Sequence, residues 1–397
     1  MLQTHIDTLL QRTAEGQRLS PEEGLLLYRE ASLNDLGIAA NAARQVRVPG
    51  NVVTYLVDRN INYTNVCTTN CSFCGFYRPL GHPEAYVQTY QEIGVRVAEL
   101  VSVGGTRILM QGGHHPELKL DYYTGLLRHL TEHYPSIEID AFSPSEIENF
   151  AAVWGMDVRQ VLEELKAAGL SGLPGGGGEM LVDDIRARVS PLKQRADGWI
   201  NIMRIAQELK LATSATNVIG FGETLEQRME HFMRLRDLTD ESLAKGADTF
   251  TAFIAWPVQH SEMTSLGRSR LKEQFGATAV EYLRHMAVAR IMLDNIAHMQ
   301  ASWVTMGPKI GQASLHYGID DMGSTMLEEN VVSQASNDTY MAMSERDLHA
   351  LIRAAGYTPA KRDTRYHTLK VFEQAEELPE LPRKTRRTVE IIPLAAS

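Results

Sequence analysis

The feature that most constrains this chain is an alternation. From about residue 52, short apolar or β-branched runs are separated by longer segments with apolar residues at helical spacing, and this continues to about residue 330 without an obvious break. "VVTYLV" precedes a helix-like stretch with Ile93, Val97 and Leu100 on one face; "TRILMQGG", the helix-like "DYYTGLLRHLTEHY" and "SIEIDAFSP" follow. The long helical region "SEIENFAAVWGMDVRQVLEELKAAGL" leads to "SGLPGGGG", and "WINIMRIAQELKL" leads to "SATNVIGFGE". "DTFTAFIAWPV", "QASWVTMG" and "DMGSTML" complete eight strand candidates. Strands joined through helices lie parallel, and eight such units fit a closed (β/α)8 barrel of the TIM type better than an open sheet. The expected organisation is an α/β fold with a helical extension over 1–50, the barrel over 51–335, and a C-terminal helix and helical tail over 336–397. Ser20, Pro21 and Glu23 have the form of a capping box in the extension, and Thr224 with Gln227 repeats it after the fifth strand.

A barrel of this kind builds its chemistry at the C-terminal mouth, in the loops after the strands. All three cysteines of the chain, Cys67, Cys71 and Cys74, stand in the loop after the first strand as C-x3-C-x2-C. The spacers are short and polar, so the three thiolates can converge on one inorganic group. A [4Fe-4S] cluster usually takes four thiolates, and three would leave one iron open to a ligand. Zinc completed by His82 or His114, or unmetallated thiols, are the alternatives; structural zinc usually draws its ligands from two separated pairs.

Other strand ends carry glycine and polar residues. Gly112 and Gly113 follow the second strand; Ser143, Ser145 and Glu146 follow the third, where serine also caps helices. Residues 175–178 form an all-glycine turn with Glu179 beside it, without the Lys-Ser/Thr that completes a P-loop. Gly220 and Glu223 follow the fifth strand. The balance of 39 basic against 49 acidic residues, net −10, gives no general attraction to nucleic acid or an anionic membrane. The one compact basic run, Arg383, Lys384, Arg386 and Arg387, reads as a solvated tail. The opening residues lack a secretory pattern, and no apolar run approaches the roughly 18 residues of a membrane helix. A cytoplasmic protein with no nucleic-acid and no membrane partner is expected.

The cysteine loop, with aromatic Phe73 before its last cysteine, resembles the signature of the radical S-adenosylmethionine (SAM) superfamily. The resemblance implies a [4Fe-4S] cluster on Cys67, Cys71 and Cys74, whose open iron chelates SAM, and an external one-electron reductant. It implies SAM contacts from Phe73, Gly112, Gly113, Ser145 and Gly220. Within the superfamily, "DRNINYTNVC", "FYRPLGHPEAYV", "ILMQGGHHPELKLDYY", "QASWVTMGPKIGQ" and "MGSTMLEENVV" are similar to the cyclic dehypoxanthinyl futalosine synthase family of the futalosine route to menaquinone. Thr68 with Thr69, and "WPVQHSE", depart from that family's commoner pattern, the latter at the expected substrate rim. The reaction so implied converts dehypoxanthine futalosine to cyclic dehypoxanthinylfutalosinate: a 5'-deoxyadenosyl radical takes the C4' hydrogen, the carbon radical closes onto the benzoate ring, and an electron and a proton leave. Glu146, Glu179 and Glu223 are the candidates for the base, with Glu328 and Glu329 behind them, and Arg78, His82, His114 or Lys309 for contact with the substrate carboxylate. A sister activity, aminofutalosine synthase or an FO synthase subunit, and a non-catalytic metal-binding barrel are the alternatives.

Overall fold

A computed structural model describes residues 2–336 and 342–378. Its sheet contains β1 (Val52–Leu56), β2 (Asp58–Ile61), β3 (Arg107–Met110), β4 (Glu138–Ala141), β5 (Gly172–Leu173), β6 (Ala212–Ile219), β7 (Phe250–Pro257), β8 (His298–Gln300), β9 (Asp321–Ser324), β10 (Thr358–Arg362) and β11 (Thr368–Val371). The order runs β11-β10-β1-β9-β8-β7-β6-β5-β4-β3-β2. Because β1 and β2 are two halves of one strand interrupted at Val57, this order returns to its start. Thr54 of β1 is in register with Asp321 of β9, and Asp58 of β2 with Arg107 of β3. The result is a closed parallel (β/α)8 barrel, as the alternation implies.

Local chemistry explains most element ends. Pro174, with no N–H, and the glycines after it stop β5 at two residues. The long helical region is two helices, Pro144–Trp154 and Val158–Ala167, divided where Gly155 turns left-handed and Asp157 caps the second. Both expected capping boxes form, at Ser20/Glu23 and Thr224/Gln227.

Two segments differ from expectation. The seventh strand is His298–Gln300, earlier than "QASWVTMG" suggests. The β-branched Val304 and Thr305 lie instead in a helical turn, Trp303–Met306, because Trp303 is drawn into the core with its indole N–H on Ser324 O at 3.1 Å. After helix Glu345–Ala354 the C-terminal region is not simply a helical tail, since β10 pairs in parallel with β1 and in antiparallel with β11. The basic run at 383–387 lies outside the described residues.

The C-terminal strands close the N-terminal end of the barrel. Arg362 of β10 makes two hydrogen bonds to Asp321 of β9, at 2.5 and 2.9 Å, and covers the Tyr366 ring at 3.7 Å. Tyr366 stacks on His298, and Arg107 joins Asp58 and Asp140. With that end filled by paired charges, the opposite mouth is left for ligands. The N-terminal helices, Leu2–Ala14, Pro21–Glu30 and Leu33–Arg47, pack on the outside, where the Tyr28 hydroxyl meets His285 Nδ1 at 2.8 Å. Among the described residues no helix is long and apolar enough to cross a membrane.

Candidate active site

The cysteine loop leaves β2 and is tied down by its own backbone. Cys67 N–H donates to Arg78 O, and Cys74 N–H to Cys71 O. The Arg78 guanidinium gathers the carbonyls of Gly75, Phe76 and Tyr77 at 3.0, 3.3 and 2.9 Å, so this expected anion contact is spent on the loop's own shape. Cys67 and Cys71 Sγ lie 3.0 and 3.6 Å from one Thr69 hydroxyl. Burial pushes the Cys71 thiol up to about 11, offset in part by Lys193, and raises Cys74 as well, against N–H groups of Tyr77 and Phe76. His82, one of the two histidines considered beside the thiols, accepts from Glu84 N–H through Nδ1 at 3.1 Å. Burial lowers His114 to about 3, which makes it a neutral imidazole with an N–H but no charge to offer a carboxylate.

The loop after β3 is pressed against this one. A Cβ on Gly113 would stand 2.1 Å from Val66 O and 2.8 Å from Cys67 Cβ, so only glycine permits the approach. Thr68 N–H donates to His114 O across the same contact. Gly112 N–H donates to Glu146 Oε1 at 2.9 Å; the Tyr63 hydroxyl donates to the same oxygen and Ser143 Oγ to Oε2, both at 2.7 Å. Burial of that carboxyl outweighs the three bonds and raises it to about 7. Ser145 Oγ donates to Gln194 Oε1 at 2.7 Å and backs the glycine turn at 175–178.

The loop after β6 is braced in the same way. Gly220 and Phe221 N–H donate to Glu223 at 2.9 and 2.7 Å, and Arg228 holds that buried carboxylate from behind at 2.8 Å. Gly220 has φ +92°, and a Cβ there would strike Gly276. Phe221 meets Phe73 with ring centroids 5.4 Å apart, which brings the aromatic of the cysteine loop to the β6 glycine.

Glu179 differs from the other two glutamates. Oε1 accepts from Lys193 Nζ at 2.7 Å, while Oε2 has no hydrogen-bond partner and Arg186 stands 3.6 Å away. Burial alone would lower the Lys193 ammonium; Cys71 and Glu179 beside it outweigh that and hold it above its ordinary value. Lys193 also lies 5.7 Å from the centre of the Phe73 ring. Sequence reasoning missed Lys193 and Gln194, whose positions carry no motif, and Tyr63, which lies within "DRNINYTNVC" but has no role assigned there. Of the remaining candidates, Glu329 is occupied by the N–H groups of Val331, Val332 and Ser333, Glu328 pairs with Arg59 and Arg96, and Lys309 is exposed.

Residues 61–235 match the radical SAM superfamily, and residues 247–375 match the CofH/MqnC C-terminal region. The cyclic dehypoxanthine futalosine synthase of Halalkalibacterium halodurans is 44% identical over 94% of this chain and 97% of its own; that of Streptomyces coelicolor is 41% identical over 93% and 90%. The chain belongs to the cyclic dehypoxanthine futalosine synthase family of the radical SAM superfamily. The aminodeoxyfutalosine synthase of Thermus thermophilus stands further off, 36% identical over 93% of this chain and 97% of its own. Among solved structures, methylornithine synthase has the same fold, with TM-score 0.69 at 18% identity over 89% of this chain and 97% of that one.

Superfamily membership implies a [4Fe-4S] cluster and SAM, and the residues fit them. The donor set is three thiols on one short loop, and Glu179 Oε2, with Arg186 at 3.6 Å, and Gln194 Nε2 are buried without a hydrogen-bond partner. Buried polar atoms left without hydrogen bonds suit a polar ligand.

Proposed function

We propose that this protein cyclises dehypoxanthine futalosine to cyclic dehypoxanthinylfutalosinate by radical SAM chemistry, a step of menaquinone biosynthesis in the cytoplasm. When bound, the cluster and SAM supply the 5'-deoxyadenosyl radical, the chemistry no side chain can perform. Cys67, Cys71 and Cys74 hold the cluster, and Arg78 keeps their loop in shape. Gly112 and Gly113 present backbone to the SAM amino group, while Phe73 and Gly220 border the adenine. Ser145 acts through Gln194 and the glycine turn.

The substrate would give its C4' hydrogen atom to the 5'-deoxyadenosyl radical, forming 5'-deoxyadenosine, close a bond from C4' to its own benzoate ring, and pass one electron to a one-electron acceptor and one proton to a base as the ring regains aromaticity. Such a sequence needs the reacting carbons held together and water excluded, which the N-terminal end filled by paired charges favours. Of the three glutamates, Glu179 keeps an open oxygen to accept a proton or a ligand hydrogen bond. Glu146 and Glu223 are positioning residues for the two glycine loops.

The observation that carries this reading is the near end-to-end likeness to two cyclic dehypoxanthine futalosine synthases, stronger than to the aminodeoxyfutalosine synthase. The test is to reconstitute the protein anaerobically, reduce it, and offer dehypoxanthine futalosine, an enolpyruvyl benzoate and tyrosine with a ribitylaminouracil in parallel. Cyclic product and 5'-deoxyadenosine from the first alone are expected. Deoxyadenosine with another substrate and none with the first would overturn the assignment.

A further inference from the structure

A barrel of this type ordinarily fills its lumen with layers of side chains. The lowest layer here is the charged one, in which Arg107 faces Asp58 and Asp140, Arg362 faces Asp321, and His298 stacks on Tyr366. Side chains alternate along a strand, so the next inward positions toward the mouth are Asn60 after Asp58, Leu109 after Arg107, Gly323 after Asp321 and Gln300 after His298. Register sets Asn60 level with Leu109, and Gln300 level with Ile254.

This second layer does not fill the lumen. Asn60, Leu109, Ile254 and Gln300 are each partly exposed, although the outward-facing residues beside them, Ile61, Ile108, Phe253 and Met299, are buried. Gly323 adds no side chain, and a Cβ there would stand 3.0 Å from Gln300 Nε2. Two amides thus border the hollow. Neither makes a side-chain hydrogen bond among the described residues, and Asn60 Oδ1 is itself buried. Amides held in such a place are costly unless a polar ligand meets them.

We propose that Asn60 and Gln300 select the substrate by its sugar, hydrogen-bonding the ring hydroxyls of dehypoxanthine futalosine. This rests on the cyclisation reading. An amide donates and accepts, as a hydroxyl does. The benzoate carboxylate calls for a cation instead, and the two guanidiniums beneath are already paired with Asp58, Asp140 and Asp321. Position agrees with the sugar as well. The carbon that gives up its hydrogen must lie close to the cysteine loop, and Asn60 stands on β2, the strand that leads into that loop. Leu109 and Ile254 supply apolar wall for the ring's C–H groups.

The test uses the reconstituted holoenzyme loaded with SAM and kept unreduced. Calorimetry measures binding of dehypoxanthine futalosine, and of analogues each lacking one ring hydroxyl, to wild type, Asn60→Leu and Gln300→Leu. Wild type is expected to bind at least one analogue about tenfold or more weakly than the parent, because a site built for a hydroxyl keeps unpaired polar groups without it. Each variant should bind the parent at least about tenfold more weakly and lose the discrimination against one analogue. SAM affinity and iron content should match wild type. Wild type that binds every analogue as tightly as the parent overturns the proposal, with no need of a folded variant. Variants that bind the parent as tightly as wild type overturn it too. In both cases cyclic product on adding reductant leaves the functional reading standing, whereas a wild type that neither binds nor cyclises the parent overturns both.

Discussion

Glu146 is where base and support make opposite predictions. Its carboxyl is held near pH 7 in the fold against 4.5 when free, which corresponds to a cost of about 3 kcal/mol for ionising it inside. The folded state therefore binds more protons than the unfolded chain between pH 4.5 and 7. The contribution to stability is fully present below about pH 4.5 and is lost as pH rises through 7. Glu146→Gln removes the ionisation but keeps an oxygen for the Tyr63 hydroxyl and Gly112 N–H, and offers an amide to Ser143 Oγ. It should unfold at the same temperature as wild type or a few degrees higher at pH 8, and lose stability less steeply from pH 5 to 8. SAM affinity and kcat should stay within about threefold. Glu146→Ala instead strands three buried donors, and at about 1–3 kcal/mol each the loss should reach about 3–9 kcal/mol, with weaker SAM binding. Anaerobic denaturation across that pH range, equilibrium dialysis with SAM and single-turnover assays measure all of this. A general base is typically worth 10²–10⁴ in rate. A fall in kcat of about a hundredfold in Glu146→Gln, with unfolding and SAM affinity unchanged, would refute the positioning role.

Lys193→Met leaves the buried Glu179 carboxylate with Arg186 alone at 3.6 Å; SAM affinity measured by dialysis should fall at least about tenfold, with the far-ultraviolet circular dichroism retained. Gly113→Ala forces a Cβ to within 2.1 Å of Val66 O, so the cysteine loop must move; iron bound per chain after reconstitution should drop below about half of wild type. Arg362→Ala leaves Asp321 buried without its bidentate partner at the closed end of the barrel, and denaturant unfolding should show a loss of about 3–5 kcal/mol.

The barrel was legible because its signal is repeated: each strand has a helix after it, and no single unit decides the count. It failed where one residue outweighed the local pattern. Val304 and Thr305 favour a strand, yet buried Trp303 beside them turns the chain into a helix. β10 was illegible because "TPAKR" becomes a strand only by pairing with β1, some three hundred residues earlier, and Arg362 at its end has meaning only opposite Asp321.

The site divides in the same way. Three cysteines within eight positions announce a shared ligand, whereas Lys193 reads as an ordinary surface lysine until the fold places it beside Glu179 and within electrostatic reach of Cys71. Glu146 and Glu223 were visible as acids at strand ends, but their roles were set by the amides that reach them. Gly220 is three residues from Glu223, a local brace; Gly112 is in the loop after β3 and Glu146 in the helix after β4, and they meet only once those neighbouring strands pair. A loop that binds through backbone has no rotamers with which to correct its aim, so its carbonyls and amides must be aimed beforehand. Glycine allows the close approach but loses the most entropy on being fixed. One buried carboxylate per glycine loop, tied by hydrogen bonds to that loop's first amide, is a physical means of fixing it.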